Sequence, residues 1–156
     1  MKIMFVCTGN TCRSAMAEGF AQKEIAKKNL NITAYSAGIS AITGEHASYN
    51  TIAVMKEYDI DMLFHTSTNI QDSNIQNMDL ILCMTQKHKQ ILLFMYDALK
   101  EKILTLKEYC ELDKNGTDTD IQDPWGYDTN TYRMCAAEIS FCIDKLFEKI
   151  IKKGLI

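Results

Sequence analysis

Ile3-Met4-Phe5-Val6 and Leu80-Ile81-Leu82-Cys83-Met84 are unbroken apolar runs, too short for buried helices and without a polar face. A strand of that kind has to be covered on both sides, which points to a parallel sheet sandwiched between helices. The rest of the chain supplies the cover. Ser14 to Lys28 has helical composition, Ala-rich with Met16, Phe20 and Ile25 recurring on one face, and Asn31 punctuates its end. Ile32 to Ser36 reads as a second strand, closed by Ala37-Gly38, and a helix from about Ser48 to Tyr58 turns Ile52, Val54 and Met55 to a core. Asp79 stands at the mouth of the Leu80 strand, and Thr85 is placed to cap a helix carrying Ile91, Leu92 and Met95. Ile103 to Leu106 is a fourth strand. A polar stretch from Glu111 to Tyr132, with Gly116, Pro124 and Gly126, reads as loop before a last helix from about Thr131 to Lys153. The expected fold is α/β: one three-layer domain over 1–156, a four-stranded parallel sheet flanked by helices on both faces.

In such sheets ligands bind beyond the carboxyl ends of the strands, near the switch in strand order. The first strand here runs directly into Cys7-Thr8-Gly9-Asn10-Thr11-Cys12-Arg13-Ser14. Gly9 and Asn10 tolerate positive φ, so this segment can curl with its N–H groups inward and close onto a helix N-terminus. A cysteine at the base of that field has its thiolate stabilised. Arg13 can fork onto two oxygens of a phosphate above the sulfur. Thiolate, amide cradle and guanidinium together suit in-line attack on phosphorus. The bland alternative makes Cys7 a small buried hydrophobe and Arg13 a surface residue. The position after a buried first strand, the Gly-Asn curl and the adjoining Ser14 favour the catalytic reading.

Composition removes other classes. A net charge of −3 with scattered Lys and Arg argues against nucleic acid or an anionic membrane surface as partner. The Lys149, Lys152, Lys153 group reads as a solvated helix end. No apolar run approaches the roughly 20 residues of a membrane span, and Met1 to Val6 lacks the features of a signal peptide. A cytoplasmic monomer with reduced thiols is expected for the six cysteines, Cys7, Cys12, Cys83, Cys110, Cys135 and Cys142. No C-x-x-C or paired-His spacing calls for zinc.

With these residues in hand the chain resembles the low-molecular-weight protein tyrosine phosphatase family. The likeness runs through Cys7 to Ser14, Ser36-Ala37-Gly38, Asp79 to Thr85 and Asp123-Pro124-Trp125. The resemblance implies phosphorylated protein substrates, no metal and no cofactor. It implies a phosphocysteine on Cys7, a clamp at Arg13, and Asp123 as the acid that protonates the leaving group and then activates water. Asn10, Ser14, Ser36 and His65 match positions that hold the loop or stabilise the thiolate. His46, His65 and His88 are not separable by sequence logic, and only His65 gains a role this way.

Asp123 also has a case of its own, because a carboxylic acid on a loop can protonate a poor leaving group and later act as base. Asp-Pro is equally a turn signal, and from this segment alone both readings stand. Trp125 and Tyr127 are expected to wall the substrate cleft, with a core-anchoring Trp125 as the alternative. Thr11 resembles the branch of the family that dephosphorylates protein arginine, where tyrosine-directed members carry a bulkier aliphatic residue. A smaller polar side chain leaves room for a guanidinium, so phosphoarginine is favoured and phosphotyrosine is the alternative. Cys12 either packs beneath the loop or, as in family members with this second cysteine, traps oxidised Cys7 as a disulfide. An arsenate reductase would need two further relay cysteines. Cys83 sits where the first would be, but Lys89 and Gln90 stand where the second is sought. A phosphocarrier or a phosphoprotein-binding module would have no use for Asp123. The other cysteines read as core packing.

Overall fold

The computed structural model describes residues 1–113 and 115–155; of the expected loop and domain, Lys114 and Ile156 lie outside the described residues. Four parallel strands, β1 (Lys2–Cys7), β2 (Thr33–Gly38), β3 (Leu80–Cys83) and β4 (Ile103–Thr105), form one sheet in the order β2-β1-β3-β4. The chain leaves β1 to pair on one side with β2 and returns to pair on the other with β3. The reversal of order therefore falls at the carboxyl end of β1, where the Cys7 loop begins.

Alternation along the strands divides the interior in two. Ile3, Phe5 and Cys7 of β1, with Leu80 and Leu82 of β3, face a layer built by α1 (Arg13–Lys28), α2 (Tyr49–Lys56) and α5 (Thr129–Lys152). Met4, Val6, Ile81 and Cys83 face the opposite layer, made by α3 (Gln86–Met95) and short 3-10 turns carrying Ile70, Ile75 and Leu99. The side chains of all four β3 residues are buried, as the unbroken apolar run requires. Asp79 accepts the Lys2 amide at 2.7 Å and ties the start of β1 to that of β3.

Element ends differ from the sequence reading where a cap or a register bond intervenes. β2 runs on through Ala37 and Gly38, because Gly38 pairs in register with Cys7 and its amide donates to Thr68. The fourth strand stops at Thr105: Thr105 and Glu108 form a capping box, and Leu106 opens α4 (Leu106–Tyr109). The last helix starts at Thr129 rather than Thr131, since the Asp128 carboxylate caps it through the Thr131 amide at 2.9 Å. The 3-10 turns at Ile70–Asp72, Ile75–Asn77 and Asp97–Lys102 carry no periodicity long enough to announce them. Among the described residues, no helix is long and apolar enough to cross a membrane.

Candidate active site

A cavity of about 320 Å³ opens at the carboxyl end of β1, floored by Cys7 and ringed by Thr8 to Arg13. Ser40, Ala41, Ile42, Glu45, Asp123 and Trp125 complete its wall. The loop reaches this shape through one left-handed residue, Asn10 at φ 57°, a conformation that Asn tolerates. Gly9 does not adopt positive φ, contrary to the expectation for the Gly-Asn pair. The glycine that the curl depends on is Gly38 in β2. A Cβ there would lie 2.5 Å from the Thr8 carbonyl oxygen and 2.9 Å from the Asn10 nitrogen, so nothing larger lets the loop close.

The loop ends at α1, and its cap residue Cys12 makes no side-chain capping bond. By contrast α2, α3 and α5 are capped by Ser48, Thr85 and Asp128. The N-terminal end of α1, without a capping oxygen, thus opens at the cavity that Cys12 and Arg13 line.

Asn10 is the hub beneath the loop. Its side-chain amide donates to Ser14 Oγ and Ser36 Oγ, both at 2.8 Å, and its Oδ1 accepts the Thr68 amide at 2.8 Å. Ser14 Oγ lies 2.9 Å from Cys7 Sγ and 3.4 Å from the Ala37 carbonyl; accepting from Asn10, it offers its own hydrogen to the nearer sulfur. The Asn10 amide approaches the same sulfur at 3.3 Å. Ser36 Oγ donates to Glu18 Oε2, and His65 Nε2 meets the Asn10 carbonyl at 2.8 Å. Burial pushes the Glu18 carboxyl above its ordinary range, opposed by the Ser36 hydrogen bond and by His65. Asn10, Ser14, Ser36 and His65 are therefore brought together beside Cys7. Glu18 was not singled out from the sequence, and its signal is the i, i+4 spacing from Ser14 on one helix face.

Arg13 is buried and spans the cavity. Its Nη1 donates to the Ile121 carbonyl at 3.0 Å, and its Nη2 lies 3.2 Å from Asp123 Oδ2. Ile121 is itself held by its amide on the Met84 carbonyl at 2.8 Å, which anchors the Asp123 segment to the end of β3. Asp123 is half exposed and accepts the Trp125 amide at 3.1 Å. Two neighbouring carboxylates are structural: Asp120 accepts the Gln86 amide at 2.7 Å, and Asp128 caps α5.

Trp125 stands 72% exposed on the cavity wall, which removes the core-anchor alternative. Tyr127 does not line this cavity. The turn from Pro124, with Gly126 at φ 85°, carries Tyr127 to an adjacent groove of about 790 Å³ that also includes Asp123, Trp125 and Met134. Thr11 sits at the rim, its carbonyl fixed by the Ser48 amide and the Thr51 hydroxyl. Cys12 is buried, with Sγ 3.4 Å from both Ser48 Oγ and Tyr132 Oη. Burial pushes the Cys110, Cys135 and Cys142 thiols up to about 12, and that of Cys83 higher still. A fully buried Cys83 in the sheet does not suit a disulfide relay.

Sequence reasoning missed His88. It is 5% exposed, with Nε2 2.8 Å from Thr8 Oγ1 and Nδ1 2.9 Å from Thr85 Oγ1. Burial, reinforced by the Arg13 charge, pushes its pKa down to about 4. Among the described residues, no group of three His, Cys, Asp or Glu side chains is arranged to hold a metal ion.

Comparison with known proteins places this geometry. Residues 2–155 match the low molecular weight phosphotyrosine protein phosphatase family. A protein-arginine-phosphatase of Bacillus subtilis is 34% identical over 152 residues, 97% of this chain and 98% of that protein. The low molecular weight protein-tyrosine-phosphatase PtpB of Staphylococcus haemolyticus is 37% identical over 94% of this chain and 97% of its own length. Among solved structures, a C7S mutant of the YwlE arginine phosphatase with a phosphorylated active-site serine superposes with a TM-score of 0.90. It is 32% identical, with 97% of both chains covered.

Proposed function

This chain belongs to the low molecular weight phosphotyrosine protein phosphatase family and is a cysteine-dependent protein phosphatase, and we propose that phosphoarginine is the side chain it acts on. The observation that carries the mechanism is the Arg13–Asp123 pair across a cavity floored by Cys7. A phosphoryl group entering there exchanges partners with Asp123 on the guanidinium and leaves that carboxyl beside the departing atom. Cys7 sulfur attacks phosphorus, the P–S bond forms, and the bond to the leaving nitrogen or oxygen breaks as Asp123 supplies a proton. Ser14 and the Asn10 amide donate to the sulfur, while Arg13 and the loop amides hold the equatorial oxygens. In the second step Asp123 takes a proton from water, the water oxygen attacks phosphorus, and the thiolate departs.

The choice of phosphoarginine is supported by Thr11 on the rim and by the Bacillus subtilis relative. A guanidinium leaving group also suits a wall that offers Glu45 and Asp123 as its carboxylates. Phosphotyrosine is the second reading, favoured by the exposed Trp125 on which a phenol ring can stack. We place the enzyme in the cytoplasm as a monomer, with Cys12 as a redox partner of Cys7.

Side-by-side turnover of phosphoarginine and phosphotyrosine peptides of one sequence tests the assignment. A higher kcat/KM on phosphoarginine is expected. Turnover of phosphotyrosine alone would transfer the assignment to tyrosine, and failure to hydrolyse either peptide or p-nitrophenyl phosphate would remove the catalytic reading.

A further inference from the structure

We propose that the Thr8 side chain is itself a phosphate ligand, its hydroxyl hydrogen aimed into the cavity by a relay from Thr85 through His88. The proposal rests on the cavity being the phosphoryl-transfer site.

Thr8 adjoins Cys7, is exposed, and lines the cavity. Its carbonyl accepts the Ser40 amide at 3.0 Å, so its backbone is fixed and only the side-chain torsion is free. His88 takes that freedom away from behind, through the 2.8 Å contact with Thr8 Oγ1.

The direction of the relay follows from placing the Thr85 hydroxyl hydrogen on His88. Thr85 Oγ1 caps α3 and already accepts the His88 amide at 3.2 Å. The acceptor offered to its own hydrogen is His88 Nδ1 at 2.9 Å. A neutral imidazole has one ring hydrogen, which this assignment leaves on Nε2, donating to Thr8. Burial keeps the ring neutral at neutral pH, so it donates on one side and accepts on the other. Thr8 Oγ then accepts from behind, and its hydrogen is turned forward to a non-bridging phosphoryl oxygen over Cys7. A hydroxyl that accepts one hydrogen bond becomes a stronger donor of the next. In this arrangement Thr8 touches the phosphoryl group, and His88 is a positioning residue.

The test combines spectroscopy with a mutant cycle on the whole protein. The ring ¹⁵N shifts of His88 should report a neutral Nε2–H tautomer at pH 7. Thr8→Val should raise the inhibition constant of inorganic phosphate, and lower kcat/KM for p-nitrophenyl phosphate, each about tenfold, as expected for one hydrogen bond to a charged group. Thr8→Ser should restore most of both. His88→Phe should cost a similar factor in the wild type and little in the Thr8→Val background, because it acts through the lost hydroxyl. An Nδ1–H tautomer, an unchanged phosphate constant in Thr8→Val, or additive effects in the double variant would overturn the proposal alone. A wild type that neither binds phosphate nor turns over phosphate esters would overturn the phosphatase reading, and this proposal with it.

Discussion

Arg13 Nη2 and Asp123 Oδ2 lie 3.2 Å apart, one side chain buried and the other half exposed, although 110 positions separate them in sequence. The contact joins the Cys7–Ser14 loop to the segment carrying the proposed acid. Because Arg13 also holds the Ile121 carbonyl, the guanidinium organises both halves of the site before any phosphate arrives.

Asp123→Asn keeps the shape of that contact and removes the transferable proton. Hydrolysis of a peptide with a poor leaving group should fall about 10²–10⁴-fold. Burst kinetics should show the loss shrinking in the first step for p-nitrophenyl phosphate. An unchanged peptide rate would point to another acid, such as Asp120 or Asp128.

Thr11→Ile adds bulk on the cavity rim, where the Thr11 carbonyl is pinned by the Ser48 amide and the Thr51 hydroxyl. Preference should move from phosphoarginine towards phosphotyrosine, read as the ratio of kcat/KM on matched peptides. Equal loss on both would mean that the rim does not select the substrate.

Gly38→Ala places a methyl against two backbone atoms of the loop, at distances no real Cβ occupies. Stability should drop by about 1–3 kcal/mol in urea denaturation, with turnover falling more than the unfolded fraction explains. A variant that keeps both would show that the loop can withdraw from β2 at no cost.

Hydrogen peroxide should inactivate the enzyme reversibly. Oxidation of Cys7 gives a sulfenic acid, and the Cys12 thiol then displaces water from it to close a disulfide. Cys12 must first leave Ser48 and Tyr132, which hold it at 3.4 Å. In Cys12→Ser a larger fraction should be irreversibly lost, measured as activity recovered with thiol. Mass spectrometry should find Cys83, Cys110, Cys135 and Cys142 still reduced, since burial raises all four thiols. Equal recovery of wild type and variant would leave Cys12 a packing residue.

His88 makes stability depend on pH. Its pKa falls from 6.5 to about 4 on folding, through burial first and Arg13 second, with Lys87 adding to the effect and Asp120 and Asp123 opposing it. Between these values the unfolded chain binds the proton and the folded chain does not. The contribution is therefore complete above pH 6.5 and lost as pH falls through about 4, amounting to at most roughly 3 kcal/mol. Denaturation of wild type and His88→Gln at pH 7 and pH 4.5 checks this. The variant should lose less on acidification, and parallel losses would assign the acid sensitivity elsewhere.

How much of the molecule was legible in its sequence divides by the range of the interaction. The octet from Cys7 to Ser14 is a local pattern, and unbroken apolar runs such as Leu80–Cys83 report strands buried on both faces. His88 is different, because its role comes from Thr8, 80 positions away, and no local spacing links them. The expectation for Gly9 failed for a related reason: the curl needs its missing side chain at Gly38, on another strand. Tyr127 was misplaced because a positive φ at Gly126 redirects the chain within two residues of Trp125. Tertiary approach and backbone reversal leave no periodic trace in a sequence.

The alternation along β1 has a consequence for how such an enzyme can change. Cys7 shares odd parity with Ile3 and Phe5 and so emerges on the α1 side, while Met4 and Val6 serve the other core. One residue inserted in the strand would shift this reading frame and deliver the proposed nucleophile to the wrong side, with every other β1 side chain misfiled alongside it. Substitution at positions such as Thr11 can therefore tune the loop, whereas the six-residue length of β1 behaves as a ruler that cannot be recut.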